Sequence, residues 1–129
     1  MPKHLSHEKS RSIVTQLLRL WAPDAPDEAV GYAASYLFDA GTLIPLQQFS
    51  LWGRGLRCAW QRAGLSPGAT IMMFAERTHQ VRVGNPEEIA DIILDTLKGD
   101  ASIVLFDDSQ QWALAVNHDG ALSVLGRDG

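Results

Sequence analysis

Cysteine is almost missing from this chain. Cys58 stands alone among 129 residues, so no intramolecular disulfide can form and the fold must be held by its core. A lone thiol fits a reducing compartment. Long apolar runs are missing too: none approaches the roughly 20 residues that cross a bilayer. The opening "MPKHLSHEKSRS" is positive but has no apolar stretch behind it, so a secretory signal is not expected. The expected location is cytoplasmic, with no membrane partner. A strong excess of one charge is also lacking. Net charge is −4, without the basic face that displaces counterions from nucleic acid, so nucleic acid is not an expected partner.

Other absences concern chemistry. There is no glycine-rich phosphate loop; "WGRGL" is too short to serve as one. "GNPEE" opens a helix, but Glu87 and Glu88 sit where an anion would bind and would repel it. No serine stands in a nucleophile elbow. His4 and His7 share one helical face at i, i+3, yet nothing nearby completes the three or four ligands that zinc requires. Neither a metal nor a cofactor is expected.

What is present suits one globular domain over residues 1–129. Hydrophobic residues make up 46% and charged residues 20%, ordinary values for a chain able to bury a core. Residues 1–9 are expected to form a flexible N-terminal tail. Charge is uneven: Lys3, Lys9, Arg11 and Arg19 oppose only Glu8 at one end, and Arg54, Arg57 and Arg62 form a second basic group. Acids gather at 24–28, 87–95 and 107–119.

The periodicity predicts an α+β fold. A first helix starts near Ser6 or Ser10 and carries Ile13, Val14, Leu17, Leu18 and Trp21 on one stripe. "APDAP" ends it. A second helix starts at Asp24 or Asp27 with Val30, Ala33, Ala34, Leu37 and Phe38 on its face, and Gly41, free to adopt a positive φ, closes it. A third spans 45–63, interrupted by Gly53 and Gly55. "TIMMFAE" and "QVRV", joined by "RTHQ", read as a β-hairpin. "NPEEIADIILDTLKG" is the clearest helix: Asn85 caps, Pro86 takes the first position, and Glu88 completes a capping box. "SIVLF", "WALAV" and "ALSVL" follow as an antiparallel three-stranded meander, turning at "DDSQQ" and "NHDG". Trp112, Leu114 and Val116 alternate to one side. The expected architecture is three N-terminal helices, a β-hairpin, one amphipathic helix and the meander, with helices burying one face of the sheet.

Two functional readings compete. If the third helix restarts after Gly55, Cys58 lies in its first turn near Arg54 and Arg57, where a thiol can be acidified. An amphipathic helix followed by strand, loop, strand and turn, over about residues 86–126, weakly resembles the C-terminal half of papain-like cysteine peptidases of the bacteriocin-processing type. The resemblance implies a nucleophilic cysteine on a helix and a histidine at the start of a later strand. Gln111 stands where that histidine is expected, and "LRCAW" lacks the family's usual cysteine context, so the resemblance implies a degenerate member. Cys58 would be its nucleophile, and His79 or His118, both in predicted turns, its base.

The favoured reading is a non-enzymatic binding protein that neutralises or holds one protein partner, such as a toxin or effector, in the manner of bacterial immunity proteins and antitoxins. The chain itself would be a monomer or a homodimer. Trp52, with Arg54 and Arg57 interleaved, falls off the apolar stripe of helix three, and Trp and Arg are the residues enriched at interface hot spots. With the acids Asp107 and Asp108 they form the expected contact set.

Overall fold

The computed structural model describes residues 3–44, 70–76, 78–86, 88–89, 92, 102–116 and 122–126. The predicted third helix lies outside the described residues, as do Trp52, Arg54, Arg57, Cys58 and His118.

The first helix, α1 (His7–Trp21), starts at Ser6, whose hydroxyl accepts the Lys9 N–H at 3.1 Å. Of the two serines that could have capped it, Ser10 is instead a buried residue inside the helix. The stretch expected to be a tail holds a strand: β1 (Lys3–His4) pairs antiparallel with β4 (Gln80–Gly84). The expected second helix is divided. Asp27–Tyr32 winds as a 3-10 turn, and α2 (Ala33–Ala40) continues from it. Gly41 does not take a positive φ. Its φ of −92° is extended, because the chain runs straight on into β2 (Thr42–Ile44).

The predicted hairpin is present as β3 (Ile71–Ala75) and β4, with the turn at "ERTHQ". The meander is present as β5 (Ile103–Phe106), β6 (Trp112–Val116) and β7 (Leu122–Gly126). They are not separate pieces. β3 pairs with β5, so hairpin and meander fuse into a seven-stranded antiparallel sheet of order β1-β4-β3-β5-β6-β7-β2. The short strands β1 and β2 close its two edges, and short edges limit unwanted pairing.

One face carries Phe74, Val81, Val104, Phe106, Ala113 and Leu125 against α1 and α2. The apolar stripe of α1 meets them with Val14, Leu17 and Leu18. Full burial of each such side chain is worth about 1.5–3 kcal/mol. α2 lies over β6 and β7, where Ala33 and Ala34 above and Ala113 and Ala115 below keep the layers close. Helices cover one face, as expected, but burial extends to the other. Ile71, Met73, Ile103, Leu105, Trp112, Leu114 and Val116 point the other way and are buried as well. That is why "IVLF" and "WALAV" read as continuous apolar runs: strands covered on both faces have no solvent side to fill with polar residues.

Beyond β4, positions 86, 88, 89 and 92 are helical, and Ile89 is buried. The capping box is formed: Asn85 Oδ1 accepts the Glu88 N–H at 2.8 Å, and Glu88 Oε1 accepts the Asn85 N–H at 3.0 Å. No described helix is long and apolar enough to cross a membrane.

Candidate functional site

The two ends of the sheet are built differently. The register pairs Ala75 with Ile103 and Met72 with Phe106, so the β3–β4 turn and the β5–β6 turn lie at opposite ends. β3 alone separates them by roughly 15 Å at the usual strand rise.

At the β5–β6 end, Asp107 acts as a turn residue. Its Oδ1 accepts the Ser109 N–H at 3.0 Å and the Ser109 hydroxyl, and Ser109 Oγ in turn accepts the Gln111 N–H at 3.2 Å. Gln110 takes φ 56° and ties the turn to α1. Its carbonyl accepts the Trp21 indole N–H at 3.1 Å, and its side-chain amide reaches the Ile13 carbonyl at 3.4 Å. Of the two expected contact acids here, Asp107 therefore has its carboxylate engaged in shaping the loop, and Asp108 is exposed.

At the β3–β4 end the turn docks on the junction where the 3-10 turn becomes α2. The first N–H groups of a helix lack partners within it, and the residue at the α2 cap, Tyr32, supplies no side-chain acceptor. Glu76 does so from across the fold. Its carboxylate accepts the Ser35 N–H at 3.0 Å and the Ser35 hydroxyl at 3.1 Å. A carboxylate at a helix N-terminus is also favoured by the helix dipole. The Glu76 N–H donates to the Ser102 carbonyl at 3.0 Å, which fixes the turn to the start of β5.

His79 closes the same turn with φ 55°, its N–H donating to the Ala75 carbonyl at 2.9 Å. Its ring lies nearly parallel to Phe74, centroids 6.4 Å apart, and against Gly31, where an added Cβ would stand 3.6 Å from Nε2. His79 is thus at the junction, at the end of the sheet opposite Asp107 and Asp108.

The outer side of this junction is aromatic. Ala33, Ala34 and Leu37 point inward from α2, while Ser35, Tyr36 and Asp39, and Tyr32 at its cap, are exposed. Tyr32 is 66% and Tyr36 39% exposed. One helical turn separates them, with the Ser35–Glu76 contact beside them and Asp39 beyond. The sequence reading passed over these tyrosines, although their positions off the apolar stripe of the predicted second helix marked them as outward-facing aromatics. Among the described residues, no group of histidines, cysteines and carboxylates is arranged to hold a metal ion.

No protein-family model, curated protein or solved structure matches this chain.

Proposed function

We propose that this chain is a non-enzymatic protein-binding module that neutralises or holds one protein partner, with the character of a bacterial immunity protein or antitoxin acting in the cytoplasm. The observation that supports it best is the exposure of Tyr36 on α2, and of Tyr32 at its cap, while the opposite side of the helix is locked into the core. Tyrosine offers a large contact area for little conformational entropy, which suits it to an interface anchor. The neighbouring polar groups have structural tasks: Glu76 caps α2, and His79 lies against Phe74 and Gly31. Trp52, Arg54, Arg57 and Asp108 remain in the proposed contact set, and Tyr32 and Tyr36 join it. Asp107 leaves it, because its carboxylate serves its own loop.

Affinity capture from the native host tests this reading. A stoichiometric protein partner is expected, retained by the native chain and reduced by Tyr32→Ala combined with Tyr36→Ala. A lone monomer with no stoichiometric companion would count decisively against it. Thiol labelling separates the module from a papain-like enzyme that uses Cys58 with His79 or His118. The module predicts a Cys58 that reacts no faster than a free thiol; rapid labelling of the folded protein, lost in either His79→Ala or His118→Ala, would favour the enzyme.

A further inference from the structure

Resting on the binding-module reading, we infer that the outer side of α2 receives a basic segment of the protein partner, with a Lys or Arg side chain seated over Tyr32 and Tyr36. The stretch of chain that carries the tyrosines has charge of one sign. From Leu20 to Ile44 the chain carries Asp24, Asp27, Glu28 and Asp39 and no Lys or Arg. All four acids are exposed. Arg19 approaches Asp27 at 3.8 Å, and no other ion pair among the described residues neutralises this face. The fold then adds a further carboxylate from a distant part of the sequence. Glu76 is held on Ser35, next in sequence to Tyr36, by bonds of 3.0 and 3.1 Å. The tyrosine pair is therefore bracketed by Glu76 at the start of α2 and Asp39 near its end.

The chemistry of that arrangement selects a cation. An aromatic face attracts a Lys ammonium or Arg guanidinium, and a carboxylate on either side reinforces the attraction. An acidic segment would meet repulsion from both ends. A purely apolar segment would find area at the two rings but would desolvate the Asp39 carboxylate and the free lone pairs of Glu76 without supplying a cation. The face is also preorganised. α2 is anchored below by Ala33, Ala34 and Leu37, and at its start by Glu76, so little ordering remains to be done on binding.

The test is a selection from a displayed library of random peptides against the full chain, followed by titration of the enriched peptides. Peptides rich in Lys or Arg are expected. Tyr32→Ala and Tyr36→Ala should each weaken their binding by about tenfold. Asp39→Asn, which breaks no hydrogen bond or ion pair among the described residues, should weaken it by about twofold to threefold, and added salt should do the same. Two outcomes would overturn the inference. Enriched peptides without basic residues whose binding still depends on Tyr32 and Tyr36 would show a docking face of the wrong class. Enriched basic peptides indifferent to both tyrosines and to Asp39 would place the contact elsewhere. In either case the module reading survives, since it is tested by capture of a partner from the host and by the reactivity of Cys58.

Discussion

The Ser10 hydroxyl, fully buried within α1, accepts the Val81 N–H of β4 at 2.8 Å. β1 ends at His4, and Leu5 donates its N–H to the Val81 carbonyl at 2.9 Å. The next ladder position on that edge has no strand to complete it, and the helix supplies the acceptor instead. Ser10→Ala should therefore leave a buried donor unpaired, at a cost of about 1–3 kcal/mol. Urea unfolding measures this, and amide exchange at Val81 should accelerate in the variant.

Ser123 is buried to the same extent, on the strand face beneath α2, but among the described residues its hydroxyl has no hydrogen-bond partner. Ser123→Ala should be neutral or stabilising by up to about 1 kcal/mol, because it removes a desolvated polar group that makes no bond. Two buried serines changed to the same residue are thus expected to shift the unfolding midpoint in opposite directions or, at least, by very different amounts.

Glu76 caps a helix from another part of the chain. Glu76→Ala should cost about 0.5–2 kcal/mol, with Glu76→Gln less harmful, since the amide oxygen keeps an acceptor but loses the charge favoured at a helix start. Thermal unfolding of the three proteins gives the order. A Gln variant as damaged as the Ala variant would show that charge, and not the hydrogen bond, dominates.

Glu88 sets a pH dependence. The Asn85 backbone N–H donated to its carboxylate holds its pKa below the ordinary 4.5. The unfolded chain then binds the proton more readily than the folded one. The contribution is complete above the ordinary carboxylate range and is lost as pH falls through the lowered folded value. Urea midpoints should decline as pH falls through and below the ordinary carboxylate value of 4.5, and Glu88→Gln should flatten that part of the curve.

Gln110 adopts a positive φ of 56°. Its bond from the Trp21 indole goes to the backbone carbonyl and survives any side-chain change. Gln110→Gly should stay within about 1 kcal/mol of the native protein, the relief of backbone strain offsetting the loss of a long 3.4 Å bond to Ile13. Gln110→Val should be clearly worse, because a β-branched residue resists that conformation. Denaturant titration distinguishes the two.

Local features were legible in the sequence because their causes are local. The Asn85–Glu88 box, the Ser6 cap, the apolar stripe of α1 and the two turns at "RTHQ" and "DDSQQ" each depend on residues a few positions apart. The features that escaped depend on distant pairing. β1 and β2 are only two and three residues long, too short for any periodicity, and they exist because β4 and β7 offer open edges. The fusion of hairpin and meander through β3 and β5 leaves no local mark either. The candidate site divides in the same way. Tyr32 and Tyr36 could be read as outward-facing from their offset to Ala33, Ala34 and Leu37, whereas the placement of Glu76 beside Ser35, 41 residues earlier, could not.

The most direct measurement is photocrosslinking in the native host, with p-benzoylphenylalanine placed at position 36 in one variant and at position 108 in another. Position 36 is expected to give a single covalent adduct with one protein, competed away by the native chain. No adduct from position 36, with or without one from position 108, would contradict the claim that the outer side of α2 is where this protein meets its partner.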